Sequence, residues 1–355
     1  MIEPNRKTVD RLVQDYKINT HSTTEIGLSR ANIGKETRVF KLERSGPPTF
    51  IIDTPMAREI ACHPHLVGES LERISHKAAS EALPVILELS EVKPKGDLKI
   101  VFEQILRAGP GYKLQDAARE MLGKSYGTVY LRPRYTHRSY RDHDGTTQRE
   151  IEVTHQNFTE FPKEEKIALI MQDTVASGHS GEASIEAAFK HCQDIGSRIE
   201  KWILYGFMSE HGLDVLHRIS RRYGISMMAF ALGNLTALST NNYDMPLYGM
   251  DEAHWRKTRE IRRVGSIIDR TSLEEYISQF VPGSDQPGDW SARQPKLFNG
   301  VSYERGDILG HLNNSVRLIR SLCEIGDFEP WQQHIARNEL SLLQKTIQSE
   351  SHKAT

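Results

Sequence analysis

The chain has 355 residues, with 46 Lys plus Arg against 47 Asp plus Glu, a net charge of −1. At roughly 100–200 residues per domain, this length holds two domains or one domain with extensions. Near-neutral charge argues against broad electrostatic binding of nucleic acid. No apolar run approaches the roughly 20 residues of a membrane span, and the N-terminus lacks an apolar signal core. Cys62, Cys192 and Cys323 lie far apart and form no CxxC pair. That excludes a disulfide scaffold and a zinc ribbon and predicts a reducing, cytoplasmic setting.

Residues 1–60 are mixed and polar, with a turn at Ser45–Pro48 and a short apolar run at Phe50–Ile52. After His63-Pro64, the spacing of Leu71, Ile74, Ala78 and Ala82 predicts a helix with one buried stripe. Leu98–Leu106 reads as a strand ending at Arg107-Ala108-Gly109-Pro110-Gly111. A helix follows, with Leu114, Ala117, Ala118, Met121 and Leu122 on one face, and then a strand at Thr128–Leu131. Arg132–Gln148 is basic and polar, a long hairpin or loop, with Ile151–Val153 as its returning strand. Lys166–Met171 is the clearest buried strand and breaks at Ser177-Gly178-His179-Ser180-Gly181. A helical stripe at Ile185–Cys192, a strand at Trp202–Tyr205, a helix through Leu213, Leu216 and Ile219, and a strand at Ile225–Ala231 complete the pattern. Such alternation predicts an α/β fold, a mainly parallel sheet flanked by helices. From about residue 254 the chain reads as a helical C-terminal extension, with a Pro/Gly-rich stretch from Pro282 to Pro295 and a frayed end over 345–355.

Ligands of open α/β sheets sit beyond the carboxyl ends of strands. Two such loops have suitable chemistry. In Gln172–Gly181 small residues admit an anion, Ser177 and Ser180 add hydroxyls, and the next helix offers free N–H groups. The plain alternative is a turn with Ser180 as N-cap. In Ile105–Gly111, Arg107 at a strand end suits a diphosphate, against the alternative of a surface ion pair.

Together the two loops resemble the type I phosphoribosyltransferases, most closely the uracil enzymes. Gln172–Ser180 is similar to that family's phosphoribosyl-pyrophosphate loop, and Ile105–Gly111 resembles its ILRAGLG segment. His63–Val67 resembles its HPLV, and Tyr243–Asp251 its uracil-binding loop, in the same order. The resemblance spans about residues 60–255 and implies three parts: an N-terminal extension (1–60), a phosphoribosyltransferase-like domain (61–255) and a helical extension (256–355).

The resemblance further implies transfer of phosphoribosyl from phosphoribosyl pyrophosphate to a nucleobase, uracil or a related pyrimidine, with release of pyrophosphate. Arg107, Asp173 and Arg132 are then catalytic. Arg107, Ala108, Gly109, Arg132, Asp173, Ala176, Ser177, Gly178, His179 and Ser180 bind phosphoribosyl pyrophosphate. Tyr243, Met245, Pro246, Tyr248, Gly249 and Asp251 hold the base. Mg²⁺ arrives with the diphosphate, and a homodimer is expected. Arg134, Arg138 and Arg141 are candidates to close over the substrate. Departures are Gln172 where the uracil enzymes have an acid, His179 where they usually have glycine, and Leu247–Met250 in the base loop.

Other readings compete. Gly123-Lys124-Ser125 lacks the upstream glycine of a nucleotide P-loop, and Gly178–Glu182 lacks the last glycine of a hydrolase elbow. A non-catalytic sensor of the same fold, or a transferase for another acceptor, fits the departures and the extension. Arg256, Lys257, Arg259, Arg262 and Arg263 read as a solvated helix face rather than a nucleic-acid contact. His63, His65 and His179 have no partner spacing for acid–base work, and no His or Cys spacing gives a metal set.

Overall fold

The computed structural model describes residues 6–28, 34–135, 151–326 and 328–354. Nine strands form the main sheet: β1 (Thr23–Glu25), β2 (Arg38–Leu42), β3 (Thr49–Asp53), β4 (Lys99–Ile105), β5 (Gly127–Tyr135), β6 (Ile151–Asn157), β7 (Lys166–Gln172), β8 (Arg198–Ser209) and β9 (Ser226–Thr236). Their order is β1-β2-β3-β9-β8-β7-β4-β5-β6, parallel from β3 through β5 and antiparallel at both edges. The fold is therefore the expected one, a mainly parallel sheet flanked by helices with further helices at the C-terminus.

Burial on both faces explains the continuous apolar strands. In β7, Ile167, Leu169 and Met171 face one core and Ala168 and Ile170 the other. The core that Ala168 and Ile170 face is covered by α2 (Pro55–Cys62), α3 (Gly68–Ser90) and α4 (Leu114–Leu122). The core that Ile167, Leu169 and Met171 face is covered by α5 (His179–Asp194) and α6 (Glu210–Arg222). The stripe predicted after His63 lies in α3, with Leu71, Ala78 and Ala82 buried.

Both ends of the chain are built into this body. Residues 1–60 supply three strands of the sheet, and β3 pairs with β9 in parallel register. Asp53, at the end of β3, accepts hydrogen bonds from Arg58 and Arg38 and, at 2.6 Å, from Ser272 far downstream. Beyond β9 come β10 (Tyr248–Met250), α7 (Glu252–Thr258), β11 (Arg263–Gly265), α8 (Arg270–Ile277) and α9 (Trp290–Arg293). The short hairpin β12 (Leu297–Phe298) and β13 (Tyr303–Glu304) leads to α10 (Ile308–Ile325) and α11 (Pro330–Ala354). A third apolar cluster joins α10 and α11. The tail expected to fray is helical through Ala354, because Leu343 is buried and Glu350 pairs with Arg305 and Lys353. Among the described residues no helix is long and apolar enough to cross a membrane.

Four of the five basic residues of the run after Met250 are engaged within the chain. Arg256 lies near Glu252, Arg262 pairs with Asp251, and Arg259 and Arg263 sit over the rings of Trp255 and Tyr16.

Candidate active site

The strand order reverses direction at β4 and β7. From β4 the chain moves outward to β5, and from β7 it moves the other way to β8. Loops leaving the two carboxyl ends diverge and open a crevice, the place where ligands bind in open α/β sheets. A cleft of about 290 Å³ lies there. Its walls include Arg107 and Ala108 after β4, Asp173–Gly178 after β7, and Ser180 and Gly181 on α5.

The β7 loop is pinned from below. The amides of Asp173, Val175 and Ser209 bond to the carbonyls of Tyr205, Phe207 and Val175, and the Ser209 hydroxyl donates to the Ala176 carbonyl at 2.5 Å. Gly206 makes this approach possible: at φ +147°, a Cβ there would stand 2.1 Å from the Asp173 carbonyl oxygen. Gly178 starts α5 at φ +82°, with no side-chain cap on the helix end. A Cβ on Gly178 would meet the Gly212 carbonyl oxygen at 2.7 Å. The first N–H groups of α5, free of a side-chain cap, therefore border the cleft, a favourable seat for an anion.

Arg107 lines the cleft, and Arg132, on β5, feels its charge without lining the cleft. Arg107 donates to Glu304 at 2.6 Å, and Arg132 donates to the Asn299 carbonyl at 3.1 Å. Burial and the like charges of Arg134 and Arg107 pull the Arg132 pKa below its ordinary value. Both arginines are thus engaged by the β12–β13 hairpin, which sequence reasoning did not connect to the site.

Two acids border the cleft. Asp173 is 6 % exposed, and burial pushes its carboxyl up to about 8, with repulsion from Glu103 adding to the shift. Asp289 caps α9 by accepting from the Ala292 amide, and burial raises it to about 6 despite nearby Arg107. Beneath Asp173, buried Glu103 is pushed to about 7, moderated by the Trp202 indole, which donates at 3.3 Å.

Gln172 points elsewhere. Its Oε1 accepts from the Leu114 amide at 2.8 Å and its Nε2 donates to Gln104 at 2.7 Å. Gln104 continues to Gln115, and Gln115 to Thr128. The residue that departs from the acid of the uracil enzymes thus belongs to an amide ladder beside β7.

The structure brings Arg107, Ala108, Asp173, Ala176, Ser177, Gly178, Ser180 and Tyr243 to one cleft. Gly109 opens a tight turn against the Gln172 carbonyl. His179 lies on α5 with Nδ1 at 3.3 Å from Glu182, and does not line the cleft. Of the base loop only Tyr243 lines it. Met245 and Tyr248 are buried in the core, and Tyr248 packs edge-on against Tyr16. Gly249 abuts the Pro282–Gly283 backbone, Pro246 holds the Ala237 amide, and Asp251 caps α7. Arg138 and Arg141 fall outside the described residues.

The wall that sequence reading missed is Pro287–Ser291. Trp290 stacks on Tyr112 with centroids 4.5 Å apart. The fully buried Arg293 fixes the segment by donating to the carbonyls of Pro287, Ile60, Leu66 and His63. Its only sequence signal is an aromatic and an acid inside a Pro/Gly-rich stretch.

No family model and no curated protein matches the sequence. Solved structures do resemble it. Adenine phosphoribosyltransferase from Leishmania donovani is 12% identical, with a TM-score of 0.33 over 56% of this chain and 89% of that one. The Trypanosoma brucei adenine enzyme, solved with AMP, pyrophosphate and ribose-5-phosphate, is 13% identical, with a TM-score of 0.32 over 55% and 87%. Orotate phosphoribosyltransferase from Francisella tularensis is 12% identical, with a TM-score of 0.28 over 76% and 95%.

Proposed function

We propose that the chain is a phosphoribosyltransferase that moves the 5-phosphoribosyl group from phosphoribosyl pyrophosphate to a nucleobase, uracil or a related pyrimidine. The observation that carries this reading is a cleft at the sheet's switch point, with a helix N-terminus free of a side-chain cap on one wall and Arg107, with Arg132 beside it, on the other. That arrangement suits a substrate with phosphate at both ends. The 5′-phosphate sits on Ala176–Ser180 and the diphosphate meets Arg107 and Arg132. Asp173, kept largely protonated by burial, both donates to and accepts from ribose hydroxyls. The base lies toward Tyr243. As a base nitrogen bonds to C1 of the ribose and the C1–O bond breaks, negative charge grows on the leaving diphosphate. The two guanidinium groups then bind more strongly than in the ground state.

The donor set also fits Mg²⁺ carried by the diphosphate. Asp289 is a hard oxygen donor bordering the cleft, and with a carboxyl at about 6 it is mostly ionised at neutral pH. Bound there, the ion would neutralise diphosphate charge. Pyrophosphate release is the test, with uracil, other pyrimidines, purines and nicotinate offered separately. Release with one base supports the transferase and names its acceptor. A second reading, a sensor that binds without turnover, is favoured by the hairpin that engages both arginines. Binding of phosphoribosyl pyrophosphate with no release from any base selects it. The homodimer belongs to the same proposal and is tested by sedimentation equilibrium.

A further inference from the structure

Away from the cleft, α2 ends at His63 and the chain turns through Pro64 to His65. Facing them from α11 is Glu339, whose side chain is 3 % exposed. His63 Nδ1 lies 3.1 Å from Glu339 Oε2, and His65 Nδ1 lies 2.7 Å from Oε1. One potential ligand atom from each of the three residues falls within 4.8 Å of the others. We propose that His63, His65 and Glu339 form a binding site for a divalent transition ion of the zinc class, tying the C-terminal helix to the body of the fold.

The chemistry matches on several counts. Two imidazoles and one carboxylate are the N/O donors such ions take, at roughly 2.0–2.2 Å. Three ligands leave a coordination position for water. The two histidines flank Pro64, whose fixed φ limits how far they can part. Outer contacts orient the set: the His65 amide donates to Glu339 Oε1 at 3.2 Å, and Arg293 donates to the His63 carbonyl at 3.0 Å. His311 Nε2 is 2.9 Å from the Pro64 carbonyl. The side chains of His63 and His65 are 24 % and 18 % exposed, so an ion reaches them from solvent. The sequence hides the set because Glu339 lies 276 residues from His63.

The inference does not depend on the proposed transferase activity, and its test does not measure that activity. The full-length protein is stripped with a chelator, dialysed, and titrated with Zn²⁺ in competition with a chromophoric chelator. One equivalent should bind, and Glu339→Gln or His65→Asn should weaken it at least about tenfold, the usual weight of one ligand. Failure of the stripped wild type to take up Zn²⁺, or equal affinity in both variants, overturns the proposal. X-ray absorption of the zinc-loaded wild type decides the matter even if a variant does not fold. Scattering from two imidazoles supports the site, whereas thiolate or all-oxygen scattering refutes it.

Discussion

Replacing Glu304 by Gln should tighten binding of phosphoribosyl pyrophosphate. In the structure Glu304 occupies the guanidinium that a diphosphate would need, with an Nη1–Oε1 distance of 2.6 Å. Arg107 and Glu304 are 36 % and 37 % exposed, so solvent screens the pair. Half-exposed pairs of good geometry are worth about 0.5–1 kcal/mol. A ligand that must break the pair loses that amount, so removing the carboxylate should improve Kd about two- to fivefold. Calorimetric titration at low and high salt reads the effect, and the gain should shrink as salt rises. The pH dependence follows from the same contact. Arg107 holds the Glu304 carboxyl below its ordinary value, so the pair persists above that depressed pKa and is lost as pH falls through it. The variant's advantage should therefore be present at neutral pH and vanish in acid. Equal or weaker binding by Glu304→Gln at neutral pH and low salt would refute the competition.

Arg107→Ala should lose about 2–4 kcal/mol of transition-state stabilisation, read as a fall in kcat/KM of about 30- to 1000-fold. Asp173→Asn should weaken substrate binding yet raise stability in alkali. A carboxyl raised to about 8 in the fold contributes stability below its unfolded pKa and loses it as pH rises through the folded value. Melting curves should show the variant ahead of wild type by at least about 1.4 kcal/mol at pH 9, the equivalent of one pH unit. Gln172→Glu removes the donor to Gln104, so denaturant unfolding at neutral pH should report a loss of about 2 kcal/mol. Arg293→Ala strands four carbonyls, those of Ile60 and Pro287 in buried bonds, and should cost more than about 3 kcal/mol by the same assay.

Much of the architecture was written locally. The apolar runs of β4, β7, β8 and β9 and the stripes between them gave the alternation, because burial on both sheet faces leaves no polar register to confuse. The two loops that line the cleft were legible because strand ends and small residues mark them. The base loop was read by resemblance, and only Tyr243 reaches the cleft, since Met245 and Tyr248 answer to core packing. Pro287–Ser291 and the hairpin ending at Glu304 were illegible for another reason. Their roles arise from contacts with residues far away in sequence, Tyr112, Arg107 and Arg132, and no periodicity encodes such pairings. Helix α11 outran its expected end because Arg305, distant in sequence, holds Glu350.

The sheet order also sets a timetable for synthesis. Strand β3 must wait for β9, roughly 170 residues later, before its inner edge is paired, a separation that slows folding. The wall at Pro287–Ser291 and the hairpin at Glu304 emerge later still. A ribosome-bound chain halted after β9 would carry a complete parallel sheet with half a cleft, its Tyr112 ring lacking the Trp290 stack. Such a nascent species presents an apolar floor to its surroundings, the kind of surface that invites chaperones. The segment after β9 thus completes the cleft: its remaining wall and the hairpin that engages Arg107 are synthesised only after the sheet.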